Sequence, residues 1–135
     1  MNETALIEVL RGSADFSSVS ERSLGELARS GTVREPVVGS EIVKQGEPSQ
    51  QLWILLTGEL EILIDGDSIN RIARPGDVVG QISAVSMIPA TATVRVASPS
   101  TCLCVPHRAL HQLFGGYPDL AEALLRSMAK YLGAR

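Results

Sequence analysis

Apolar residues recur with a helical period through the first thirty positions. Ala5, Leu6, Val9 and Leu10 share one face over residues 3–10, and Leu24, Leu27 and Ala28 repeat the pattern ahead of Gly31. Ser18 and Glu21 stand at capping-box spacing before the second run. From Val33 the texture changes. Short runs of β-formers at 37–38, 42–43, 52–56, 60–64, 69–72 and 78–79 alternate with Gly39, Gly46, Gly58, Gly66, Gly76 and Gly80. Turn signals this regular predict a β-sandwich or barrel. Over residues 59–64 the alternation sends Leu60, Ile62 and Ile64 inward and leaves Glu59 and Glu61 in water, with Asp65-Gly66-Asp67 as the hairpin turn. After further strands at 91–96 and 101–105, Pro106 opens a helix through Phe114. Gly115-Gly116 ends it, and Pro118 starts a last helix over 119–132.

At 135 residues the chain is one domain, in three stretches: helices over 1–32, a β-barrel over 33–105 and helices over 106–135. A hydrophobic content of 44% with 20% charged residues suits a globular protein rather than a disordered one. The net charge of −3, with its 12 Lys and Arg scattered, offers no footprint for nucleic acid. No apolar run approaches the roughly 18 residues of a membrane span, and no signal pattern opens the chain, so a cytoplasmic protein without membrane contact is expected. Cys102 and Cys104 lie at i and i+2 of a strand, roughly 6.5–7 Å apart, too far for an undistorted disulfide; two small core residues in a reducing compartment are expected. His107 and His111, at i and i+4 after the barrel, read as exposed polar residues rather than a metal site. Catalysis of the cupin type would need histidines on the strands, so no enzymatic activity and no cofactor are expected. Glu59 and Glu61 read as a solvated strand face, because nothing there raises either pKa.

Residues 78–94 resemble the phosphate-binding cassette of the cyclic nucleotide-binding domain family, as in catabolite activator-type regulators and kinase regulatory subunits. Gly80, Pro89 and the Ala92-Thr93-Val94 ending match its spacing. Gly39, Lys44-Gln45-Gly46-Glu47, Leu56-Thr57-Gly58-Glu59 and Pro75-Gly76-Asp77 follow in register. The resemblance implies an eight-stranded jelly-roll-like barrel with N-terminal helices, a short cassette helix and two C-terminal helices. It also implies cyclic AMP or cyclic GMP as candidate ligands, and a site at Val78, Gly80, Gln81, Ile82, Ser83, Ala90, Thr91 and Ala92.

Two positions depart from the family. Its glutamate, which accepts from the ribose 2′-hydroxyl, is Gln81, and its arginine, which forks onto the cyclic phosphate, is Ala90. A glutamine can still accept, without the charge assistance that lifts a hydrogen bond from about 1 to roughly 1.5–3 kcal/mol. The lost arginine is the larger deficit. The parity of Ala90, Ala92, Val94 and Val96 puts Ala90 inward, while Arg95, with Thr91 and Thr93, faces solvent. What remains is a backbone component: Gly80 allows close approach, and the amides of Ile82 and Ser83 head a short helix over 81–85. Three readings stand: a cyclic-nucleotide sensor with a weakened site, a ligand-free dimerisation or regulatory module, and a pocket for a less anionic ligand.

The last helix carries two apolar stripes, Leu120/Leu124/Ser127/Tyr131 and Ala121/Leu125/Met128/Leu132. A homodimer through Leu120, Leu124, Met128 and Tyr131 is expected, with Gly115-Gly116 as a hinge. Family transcription factors continue into a helix-turn-helix domain; with its end at Arg135, the chain is expected to have no DNA-reading element of its own.

Overall fold

The computed structural model of this chain describes residues 1–133, and the side chains of 1–129. Two helices open it, α1 (Glu3–Arg11) and α2 (Glu21–Ser30). The cap of α2 is Ser20, not Ser18: its hydroxyl accepts the Ser23 N–H at 3.2 Å, while Ser18 takes the Arg126 guanidinium. The Ser20 N–H and the Ser23 hydroxyl both donate to Asp119, at 3.0 and 2.6 Å, and tie the start of α2 to the last helix. These donors, the Ser23 hydroxyl foremost, hold the Asp119 carboxyl below the usual carboxylate range.

Eight strands follow: β1 (Thr32–Arg34), β2 (Glu41–Val43), β3 (Gln51–Thr57), β4 (Leu60–Ile64), β5 (Asp67–Ile72), β6 (Val78–Val79), β7 (Thr93–Val96) and β8 (Thr101–Pro106). A six-residue helix, α3 (Gln81–Ser86), interrupts them, and α4 (His107–Gly116) and α5 (Pro118–Gly133) close the chain. The strands form two antiparallel four-stranded sheets, β1-β8-β3-β6 and β2-β7-β4-β5. The domain is mainly β, with the jelly-roll arrangement and flanking helices that the sequence implies.

The first sheet is covered on both faces. Leu52, Ile54 and Leu56 of β3, with Leu103 and Val105 of β8, pack among Leu6, Leu10, Phe16, Leu24, Leu27, Leu110, Leu113, Leu120 and Leu124. The alternate residues, Trp53, Leu55, Cys102 and Cys104, join Val43, Leu60, Ile72, Val79, Ala90, Val94 and Val96 from the rest of the barrel. Period 2 with two apolar environments yields an unbroken apolar run, as β3 shows.

Several expectations are corrected. In β4 the alternation holds only as far as the register shift between Ile62 and Leu63. Leu63 is buried and Ile64 is exposed; the extra residue of the ladder, Ile69, lies on β5 opposite the Ile62–Leu63 step. Glu61 is not in open water: its side chain is 11% exposed and its carboxylate is engaged by Arg95 and Arg71. The hairpin turn is Asp65-Gly66, both with positive φ (53° and 84°), as a two-residue primed turn demands. Gly115 and Gly116 lie inside α4, and the chain turns at Tyr117. Leu120 and Leu124 pack into the chain's own core and offer no surface to a second subunit; the exposed stripe of α5 is Leu125, with half-buried Ala121 and Met128 beside it. Tyr131 lies outside the described side chains.

Candidate functional site

The cassette is built where β6 hands over to α3. Gly80 adopts the left-handed conformation (φ 76°), and a Cβ there would stand 3.1 Å from the Gln51 carbonyl oxygen and 3.3 Å from Val43. Glycine meets both demands, the positive φ and the close approach. The helix then runs over Gln81–Ser86 and stops at Met87, another positive-φ residue, whose N–H donates to the Ser83 carbonyl at 2.8 Å. First-turn amides of a helix have no partner within it, and its positive dipole end favours an acceptor.

The loop between β2 and β3 braces both halves of the cassette. Gly46 N–H donates to the Ala90 carbonyl at 2.8 Å, Ala90 N–H to the Glu47 carbonyl at 3.0 Å, and Ser49 N–H to the Ser83 hydroxyl at 2.8 Å. Val78, Gln81, Ser83 and Ala90 are all buried, while Gly80, Ile82 and Ala92 are half-buried. Thr91 is exposed and stands apart from the others. Gln81, 3% exposed, donates its side-chain amide to the Ser127 hydroxyl of α5 at 3.3 Å. His107 of α4 contacts the Ala84 carbonyl through Nδ1, which places the ring proton on that nitrogen. The cassette is therefore tied to β3, α4 and α5 at once.

Ala90 faces the barrel core at 7% exposure. Arg95 does not: its Nε and Nη2 both donate to Glu61 Oε1, at 3.1 and 2.5 Å. Register places Glu41, Arg95, Glu61 and Arg71 side by side across β2, β7, β4 and β5, alternating in charge on the outer face. The Arg95 hydrogen bond holds the Glu61 carboxyl below its ordinary range. Among the described residues no Lys or Arg is buried. The buried polar side chains around the cassette carry no charge: the Gln81 amide, the Ser83 and Ser127 hydroxyls and the Trp53 indole. Such a set can hold and orient a ligand by hydrogen bonds and offers no activated nucleophile.

The cysteines are free and buried in the barrel core. Burial, and secondarily Cys104, pushes the Cys102 thiol up to about 11, and Cys104 is also raised, so neither forms a thiolate readily near neutral pH. His107 is half-buried against the cassette while His111 is exposed, with ring centroids 6.2 Å apart. Two surface cavities, of about 400 and 490 Å³, are bounded by residues from Glu41 to Gln51 and by the Glu35–Val38 and Pro99–Thr101 segments with Thr57; neither lining includes a cassette residue.

Four residues of this neighbourhood escape sequence reasoning: Ser49, Trp53, His107 as a cassette contact, and Ser127. Ser127 carries the one usable signal, a polar residue on the apolar stripe with Leu120 and Leu124.

A family model for the cyclic nucleotide-binding domain matches residues 37–117, from the exposed β1–β2 turn through the cassette to the end of α4. The chain belongs to the cyclic nucleotide-binding domain family. The Pycsar effector protein BcPycTIR of Burkholderia cepacia is 29% identical over 108 residues, covering 79% of this chain and 35% of the relative. The crystal structure of Thermus thermophilus catabolite activator protein superimposes with a TM-score of 0.81 at 18% identity, over 90% of this chain and 59% of that one. A regulatory subunit of a cAMP-independent protein kinase A from Trypanosoma cruzi, bound to guanosine, superimposes at 0.74 and 17% identity, over 84% of this chain and 41% of that one. Curated relatives are longer proteins, of which this chain spans 35%, 54% and 58%. No helix among the described residues is long and apolar enough to cross a membrane.

Proposed function

We propose that this chain is the ligand-sensing domain of a cytoplasmic regulatory protein, and that it binds cyclic AMP and cyclic GMP only weakly. One observation carries the reading. The interior position beside the cassette is Ala90, and the nearest arginine in sequence, Arg95, is held outside by Glu61. A cyclic phosphate entering there would leave water without a counter-charge. That deficit costs roughly 2–5 kcal/mol, a factor of about thirty to several thousand in affinity.

A second reading is favoured by the neutrality of the same interior: the pocket takes an uncharged ligand of nucleoside type. Gln81, Ser83 and Trp53 supply neutral hydrogen bonding, and the kinase regulatory subunit from Trypanosoma cruzi, part of which shares this fold, is bound to guanosine. Output would pass through α5, which meets the cassette at Gln81–Ser127, and exposed Leu125, with half-buried Ala121 and Met128 beside it, is the surface proposed for a second subunit.

Thermal-shift measurements with cyclic AMP, cyclic GMP, guanosine and adenosine test both readings. A ligand at a hundred times its dissociation constant adds roughly 2.7 kcal/mol. A clear shift with a nucleoside at concentrations where cyclic AMP has none supports the uncharged-ligand reading. Tight cyclic AMP binding by the native chain contradicts both.

A further inference from the structure

Trp53 is the only tryptophan of the chain, and its indole N–H is the one buried side-chain polar atom among the described residues that has no hydrogen-bond partner. The residue is 6% exposed and sits on the inner face of β3, opposite Val79 of β6 and Cys104 of β8. Its ring carbon Cδ1, bonded to the indole nitrogen, lies 3.8 Å from the position of a Cβ built on Gly80. The indole ring thus borders the head of the cassette, within the same cluster as Val43, Val79, Ala90 and Val94. Tyr and Trp buried in a core ordinarily find a partner, and an unmatched buried donor carries a desolvation penalty. Everything else about Trp53 is well-packed core, so the missing partner is the feature that asks for an account.

We infer that Trp53 is a specificity-determining residue of the cassette site, whose indole N–H donates to an uncharged acceptor atom (a carbonyl, ring nitrogen or hydroxyl oxygen) of a nucleoside-type ligand. This rests on the reading of the domain as a ligand sensor. The chemistry selects the class. An indole is a single neutral donor, so it completes the hydrogen bonding of a neutral acceptor. It does not neutralise a phosphate, and no buried Lys or Arg among the described residues does so either. The surrounding Val43, Val79, Val94 and Ala90 suit the apolar face of a heterocycle.

A single tryptophan gives a single indole ¹H–¹⁵N resonance, which reports this donor directly. The ¹⁵N-labelled chain is titrated with guanosine, adenosine, cyclic AMP and cyclic GMP, each followed in parallel by calorimetry. The expected result is an indole proton without a hydrogen-bonded shift in the free chain that moves downfield on adding a nucleoside. Trp53→Phe, and replacement of Trp53 by its benzothiophene isostere, which keeps the volume and removes the N–H, should each weaken that nucleoside roughly five- to thirtyfold. If a nucleoside binds by calorimetry while the indole resonance stays still and the isostere binds equally well, Trp53 has no such role and the sensor reading survives. Tighter binding of cyclic AMP than of either nucleoside overturns the assignment of ligand class. An indole proton already hydrogen-bonded in the free chain means that water satisfies it, and the inference fails. Silence from all four compounds in both measurements overturns the sensor reading and this inference together.

Discussion

The two sheets of this domain have the same strand count and opposite surroundings. In β1-β8-β3-β6 both faces are dry, one against the helices and one against the barrel interior. In β2-β7-β4-β5 the outer face is wet and carries the Glu41–Arg95–Glu61–Arg71 row. The difference separates the charged residues near the cassette from the apolar ones. Val94 on the inner face of β7 is shut off from water, and Ala90, ahead of the strand, is buried in the same cluster. One position over, Arg95 finds Glu61 across the ladder and stays outside. The interior position beside the cassette thus holds alanine, while the arginine of this segment stays on the wet face.

The comparison is broken most severely by truncation in the doubly covered sheet. Leu55→Ala and Leu103→Ala, each fully buried, should each cost about 2–5 kcal/mol by chemical denaturation. Ile69→Ala on the wet sheet, at 55% exposure, should stay within about 0.5 kcal/mol. Equal costs would show that the two sheets are not in different environments.

Gln81→Glu sharpens it next. At 3% exposure the new carboxylate would be buried without a basic partner, so the ligand-free chain should lose roughly 1–3 kcal/mol at neutral pH. Burial raises the folded-state pKa of such a group. Its stability is therefore intact below the unfolded carboxylate pKa and lost as pH rises through the folded one. The variant should approach the native chain on acidification. A deficit unchanged with pH would mean that lost packing or the lost Ser127 hydrogen bond, not charge, is responsible.

Glu61→Gln acts with the opposite sign and a smaller size. Its carboxyl is lowered by Arg95, so its contribution is present above the unfolded carboxylate pKa and disappears as pH falls through the depressed value. Thermal melts of the native chain should therefore lose stability on acidification, with Asp119 contributing in the same direction, and Glu61→Gln should flatten part of that slope. Added salt should narrow the gap between the two at neutral pH. The smallest expected effect on folding is that of Leu125→Glu, exposed on α5, which should leave the melt unchanged while converting any dimer to monomer in sedimentation.

Much of the fold was legible because its signals are local. Gly80, the Asp65-Gly66 turn, the apolar stripe of α2 and the parity of 90–96 each follow from a few neighbouring residues. What was not legible depends on partners far away in the chain. The register shift opposite Ile62–Leu63 comes from Ile69 of β5, and the exposure of Ile64 depends on what packs at the end of β4, neither of which the alternation within 59–64 contains. The two stripes of α5 look alike in sequence, and only packing on α2 and α4 decides that Leu120 and Leu124 face inward. At the site, Ala90 and Arg95 could be placed by alternation. Trp53, Ser49 and Ser127 could not, because they reach the cassette from β3, the loop before it and α5, and no spacing rule connects them.

The central claim is that the cassette backbone is in place and the pocket lacks a positive charge. Calorimetric titration of cyclic AMP into Ala90→Arg, and into Gln81→Glu with Ala90→Arg, tests it most directly. The account predicts weak or undetectable binding by the native chain, recovery of most affinity by Ala90→Arg alone, roughly thirtyfold or more, and a further gain from the double variant. Binding by the native chain as tight as by Ala90→Arg would contradict it, as would a folded double variant that binds no cyclic AMP at all.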